Sequence, residues 1–129
     1  MTIQRTIAAS VTTGVLLSVF LGFSHAQVAT SNVKQSDKVL FGRAMTAFQK
    51  SEYLAARTLL ETLINSHPDS DYVPRAKLSI ADAWYAEGAF NQAEMEYRDS
   101  ITFFPDRPEA AQAQLKIDSI VENRHLRSR

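Results

Sequence analysis

The residues with the most chemical potential are carboxylates crowded between positions 82 and 109: Asp82, Glu87, Glu94, Glu96, Asp99, Asp106 and Glu109. Two carboxylates held close together can do general acid–base work, and a ring of them can hold calcium. Neither arrangement fits the spacing. There is no EF-hand loop pattern, and a period of about 3.6 residues scatters the seven groups over several helix faces. Only Arg98 and Arg107 oppose them within that stretch. The expected role is a solvated acidic face that could steer basic partners. His25, His67 and His125 each stand alone, without a second ligand four residues along a helix. The absence of cysteine removes thiolate metal sites, disulfides and cysteine nucleophiles. Beyond residue 26, glycine occurs only at positions 42 and 88, too few for a phosphate loop, and no serine sits in a nucleophile-elbow pattern. The sequence therefore predicts no catalytic residue, no metal and no cofactor.

With chemistry set aside, the chain reads as a scaffold. Its 14 basic and 14 acidic residues leave no positive excess for nucleic acid. A hydrophobic fraction of 45% suits one small folded domain. The first 26 residues differ from the rest. Arg5 is their one charged side chain, an uncharged run follows from Ile7 to Phe23, and Ser24-His25-Ala26 resembles a signal-peptidase site. Cleavage is expected after Ala26. The competing reading is an uncleaved anchor, since the run approaches the ~20 residues of a spanning helix, but threonine, serine and glycine dilute it. Residues 27–36 are polar and aperiodic, and read as a linker.

The remainder repeats at a spacing of about 37 residues. Ser51-Glu52-Tyr53-Leu54-Ala55-Ala56 aligns with Gly88-Ala89-Phe90-Asn91-Gln92-Ala93, and Pro68-Asp69 aligns with Pro105-Asp106. Arg75-Ala76-Lys77-Leu78-Ser79-Ile80 returns as Gln112-Ala113-Gln114-Leu115-Lys116-Ile117, the start of a third copy. Periodicity and punctuation predict helices near 37–50, 53–66, 73–87, 90–103 and 108–123. Ser36 is placed to cap the first, Pro68 and Pro105 follow the second and fourth, and Pro74 and Pro108 open the third and fifth. Ala44 precedes Ala56 by twelve residues, as Ala81 precedes Ala93. Small residues on both helices of a pair let the axes come close, toward the short end of the usual ~8–10 Å. Phe48 and Tyr85, and Tyr53 and Phe90, hold equivalent positions, and Trp84 adds the largest apolar surface.

These positions resemble the tetratricopeptide repeat: Ala81, Trp84, Gly88, Phe90, Ala93, Tyr97 and Pro105 in the second copy, and Ala44, Tyr53, Ala56, Leu60 and Pro68 in the first. Lys77 and Arg43 depart from it, standing where the pattern prefers apolar residues. Within that class, residues 39–117 resemble the amino-terminal repeats of BamD-type outer-membrane protein assembly factors. The stretches LLETLINSHPDSDYVPRAKLSIADAWYAEGAF and ITFFPDRPEAAQAQLKI carry the likeness. The resemblance implies an all-α, right-handed solenoid of about two and a half helix–turn–helix repeats. It also implies a protein-binding rather than catalytic role in the bacterial cell envelope, in the periplasm or at the periplasmic face of the outer membrane. The implied partners are outer-membrane protein precursors or components of the assembly complex. Two features depart from the family. Ala26-Gln27 stands where it carries a lipidated cysteine, and the sequence stops within the third of about five repeats, as expected of a shortened relative or of a fragment. Similar repeats occur in periplasmic scaffolds of cell-division and Tol–Pal coordination, which is the alternative reading.

In this repeat class the first helix of each pair lines the concave side. The expected partner-binding residues are therefore Phe41, Met45, Phe48 and Gln49 in the first repeat and Leu78, Asp82 and Tyr85 in the second. Rings, a methionine and one carboxylate suit an extended or helical peptide. The competing reading makes Phe41, Phe48 and Leu78 ordinary core. The domain is expected over 37–123. A basic tail follows over 124–129, whose three arginines fall short of the ~4–8 basic residues of a lipid-binding cluster. Peripheral membrane association through that tail is thus weaker as an expectation than a frayed soluble end.

Overall fold

The computed structural model describes residues 35–129. The signal segment 1–26 and linker residues 27–34 lie outside the described residues. Five helices follow in order: α1 (Asp37–Gln49), α2 (Tyr53–Ser66), α3 (Val73–Ala86), α4 (Phe90–Phe103) and α5 (Pro108–Arg127). Each packs on the next, and α5 also touches α3. The chain is an all-α stack of helix pairs of the tetratricopeptide type.

Local chemistry explains where the helices begin and end. Ser36 has extended backbone, and its Oγ accepts from the Val39 N–H at 3.4 Å. Asp37 sits in the first turn, where the helix dipole favours a negative charge. Pro74 and Pro108 occupy first-turn positions of α3 and α5, whose N–H groups have no helical partner to lose. The turn between α1 and α2 passes through Ser51 at φ 62°, and the turn between α3 and α4 passes through Gly88 at φ 80°. Both are left-handed and sit 37 positions apart. They close in the same way: the amides of Glu52 and Ala89 reach back to the carbonyls of Ala47 and Trp84, at 2.9 and 3.0 Å.

The interior divides between the two stacking interfaces. Leu40, Phe41, Ala44, Leu60, Leu63, Val73, Ala76 and Ile80 form one cluster, drawn from α1, α2 and α3. Leu78, Ala81, Ala93, Tyr97, Ala113, Ile117 and Ile120 form the other, from α3, α4 and α5. Trp84 packs against both. Ala44, Ala56, Ala81 and Ala93 are fully buried, as the close-approach seams require. Full burial of Leu60 and Leu63 contributes roughly 1.5–3 kcal/mol each.

Two boundaries differ from expectation. Helix α5 does not stop at 123 but continues through Arg127, so most of the basic tail is helical. Arg124, His125 and Arg127 lie in its last turn, where cations oppose the carbonyl end of the dipole. At the other end, Gln35 and Ser36 join the folded unit. His67 Nε2 lies 2.8 Å from the Gln35 carbonyl, and Arg43 donates to the Gln35 side chain at 2.8 Å. Among the described residues no helix is long and apolar enough to cross a membrane.

Candidate partner-binding face

The seven residues expected on the concave side divide into three groups. Phe41 and Leu78 are each 8% exposed and belong to the core. Phe41 stacks on Tyr72 with ring centroids 5.0 Å apart, and Leu78 lies among Ala81, Ala113 and Ile117. The next helix pair covers both, as the competing core reading of these two residues expected. Met45, Phe48, Asp82 and Tyr85 are half-buried, and Gln49 is exposed. Asp82 already has a partner: the buried Tyr97 hydroxyl donates to its Oδ1 at 2.6 Å. Burial and then the adjacent Asp82 carboxylate push the Tyr97 phenol far above its usual range. Phe48 and Tyr85 each hold an edge-to-face ring pair across a helix turn, with Tyr53 at 5.3 Å and with Phe90 at 5.2 Å.

Of these residues Tyr85 opens onto a cavity. A space of about 360 Å³ is lined by Tyr85, Phe90, Asn91, Ile120, Asn123, Arg124 and Arg127, where the end of α3, the start of α4 and the last turns of α5 converge. Its floor is aromatic and aliphatic and its rim is amide and guanidinium. Lys116 Nζ lies 4.9 Å from the centre of the Tyr85 ring, and the Arg127 guanidinium lies 6.0 Å from that of Phe90. Arg124 donates to Glu94 at 2.7 Å and to Asn91 at 3.2 Å. Such a site can hold an apolar side chain while its cations face a nearby negative group. Sequence reasoning found only Tyr85 here. Of the missing residues, Phe90, Asn91, Ile120 and Asn123 stand on expected helices, and packing gathers them around Tyr85; Arg124 and Arg127 lie on the part of α5 expected to fray, where one cue was available: three basic residues at the end of a helical pattern, the dipole-complementary composition of a helix C-terminus.

The acidic stretch is a solvated face only in part: Asp99 and Asp106 are exposed and Glu96 is half-buried, while the other four carboxylates lie against partners. Glu87 pairs with Arg57, whose guanidinium carbon stacks 3.6 Å from the centre of the Trp84 ring. Glu94 receives Arg98 and Arg124, both at 2.7 Å, and these two hydrogen bonds lower its pKa. Asp82 is held by Tyr97. The buried Glu109 lies in the first turn of α5 with its Oε2 3.8 Å from Arg107. Two of the answering cations, Arg57 and Arg124, come from thirty residues away, which is why local sequence did not show them. Among the described residues, no three histidine, aspartate or glutamate side chains are placed to hold a metal ion.

Stacked antiparallel helix pairs with a cavity opening between first helices define a helical-repeat scaffold of the tetratricopeptide kind. The comparison with protein families then gives the lineage. The model of the YfiO family, described as an outer membrane lipoprotein, matches residues 33–123, and the chain belongs to that family. No curated protein matches it. Family membership places the chain in the cell envelope and in outer-membrane assembly. The sequence itself contains no cysteine to accept a lipid.

Proposed function

We propose that the chain is a non-catalytic protein-binding module on the periplasmic side of the envelope that assists outer-membrane protein assembly. The observation that carries this reading is the family match over residues 33–123, which spans α1 to α4, most of α5 and five of the seven residues that line the cavity beside Tyr85. The ligands are segments of outer-membrane protein precursors or of assembly components, bound along the surface of Met45, Phe48, Gln49 and Tyr85. An apolar side chain enters between Tyr85, Phe90 and Ile120, and Arg127 meets a negative group beside it. A peptide bound in this way needs no preformed sheet edge, only an anchor side chain and a groove. Within the acidic stretch Glu87 and Glu94 act as structural ion-pair partners and Asp82 as the acceptor of the Tyr97 hydroxyl, rather than as acids or bases.

In-cell photocrosslinking from position 85, with mass spectrometry of the captured proteins, tests the proposal. Barrel precursors or assembly components are expected, with capture reduced at least tenfold by Phe90→Ala. Recovery of cell-division proteins alone would replace the assembly role with that of a division-site scaffold. A hydrolase activity lost on Glu94→Gln would end the non-catalytic reading.

A further inference from the structure

One carboxylate beside the Tyr85 cavity is not required by the stacking. Asp82 is half-buried in the second half of α3. It precedes Tyr85 by three residues, about 4.5 Å along the helix axis, and residues at that spacing share a face. Its Oδ1 accepts from the fully buried Tyr97 hydroxyl at 2.6 Å. Among the described residues no basic group lies within 4 Å of its carboxylate. Lys116 of α5 lies instead over the Tyr85 ring, 4.9 Å from its centre. Met45 and Leu60 hold the equivalent positions in the first pair, both within its apolar cluster. A helix pair of this shape therefore stacks without an acid there. Burying a phenol hydroxyl and part of a carboxylate costs desolvation that their one hydrogen bond roughly offsets. What the tie adds is direction: with Oδ1 held by the core, Oδ2 is the oxygen left to the groove.

We propose that Asp82 selects bound protein segments that carry a basic side chain two residues from the apolar anchor, with Tyr97 as its positioning residue. This rests on the reading of the Tyr85 cavity as an anchor site. In an extended peptide, side chains two residues apart lie on one side, about 6.8 Å from each other. An anchor seated between Tyr85, Phe90 and Ile120 thus brings such a side chain within reach of Asp82. By repeat spacing Asp82 stands level with Ser119 of α5, eight residues and about 12 Å before Arg127. The two opposite charges bracket the cavity, and the segment that fits has a basic group on one side of its anchor and an acidic group on the other. A lysine or arginine donating to Oδ2 makes a charge-assisted hydrogen bond, stronger at a half-buried site than on an open surface.

Fluorescence anisotropy of the purified protein with two labelled peptides, Ser-Lys-Ser-Phe-Ser-Lys-Ser and Ser-Gln-Ser-Phe-Ser-Gln-Ser, tests this. The symmetric sequence presents one lysine to Asp82 in either chain direction. The other lysine meets the same surroundings in every Asp82 variant, so its contribution cancels. Asp82→Asn keeps an acceptor for Tyr97 but removes the charge. It should weaken the lysine peptide at least fivefold and the glutamine peptide less than twofold. Tyr97→Phe should lower the preference for lysine over glutamine at least twofold with unchanged helical circular dichroism, an effect that a purely structural tie would not have. If Asp82→Asn weakens both peptides alike, or neither, while Phe90→Ala still removes binding, this proposal falls and the anchor site stands. If neither peptide binds, or Phe90→Ala leaves binding unchanged, both fall together.

Discussion

The first and second helix pairs share one skeleton but fill it differently. The α1–α2 turn and the α3–α4 turn close through the same hydrogen bonds. The Phe48–Tyr53 and Tyr85–Phe90 pairs meet at interplanar angles of 74° and 71°, with the hydroxyl moved from the second ring to the first. Leu60 and Tyr97, 37 positions apart, are both fully buried. In the first pair Leu60 is matched with Met45 at the position of Asp82, so that layer is apolar. In the second, Tyr97 donates to Asp82. The polarity of the ties between repeats also reverses. Arg57 on α2 pairs with Glu87, and at the equivalent positions Glu94 on α4 pairs with Arg124 on α5. Backbone closure and ring packing thus recur because they depend on shape. The charges are free to alternate, and alternation carries information. Stacking the first pair directly on α5 would set Arg57 against Arg124, so the reversed pairs favour the correct order by penalising the wrong one.

The largest effect expected from testing this comparison lies at the seams. Ala56→Leu and Ala93→Leu each insert bulk between closely packed helices and should cost about 3 kcal/mol in urea denaturation. Similar losses would support equivalence of the two pairs, and a loss confined to one would break it. Next comes the ion pair of the first interface. Arg57→Glu should cost about 2 kcal/mol, since it places two carboxylates together and uncovers Trp84. Adding Glu87→Arg should recover most of that loss, whereas Glu94→Arg should cost under about 1 kcal/mol because Arg124 is over half exposed. If the exchanged double variant is no more stable than the single one, the pairs do not encode stacking order.

The two left-handed turn positions give a smaller effect of opposite sign. A Cβ at Gly88 would meet nothing within 4 Å, so Gly88→Ala should cost about 1 kcal/mol through backbone strain alone. Ser51→Gly relieves that strain in the other turn and should gain a few tenths to about 1 kcal/mol. The Tyr97–Asp82 tie gives the smallest effect at neutral pH. Burial and Asp82 raise the Tyr97 pKa in the folded state above its unfolded value. Its contribution is complete below about pH 10 and is lost as pH rises further, because the unfolded phenol ionises first. Tyr97→Phe should flatten this alkaline loss of thermal stability, with no counterpart at Leu60. Glu94 has the opposite sign. Its lowered pKa gives stability that is present above about pH 4.3 and lost on acidification.

Much of this fold was legible because repeat chemistry is local. Residues 53–66 and 90–103 follow from apolar spacing and the prolines that come after them. The alanine seams and ring equivalences follow from the 37-residue offset. The far end of α5 was not legible, since exposed polar helix and disordered tail share a composition. Periodicity also left two readings of the first-helix side chains, surface or core, and only packing chose between them: the next pair buries Phe41 and Leu78.

Linear order by itself determined which segments become helices, where they turn, and which small residues meet, because those outcomes depend on backbone sterics and a periodicity read within one repeat. Only the stacked structure decided which charges answer one another and which rings remain available. Coulombic pairing and desolvation depend on distance in space, and groups thirty residues apart become neighbours only after the helices have packed.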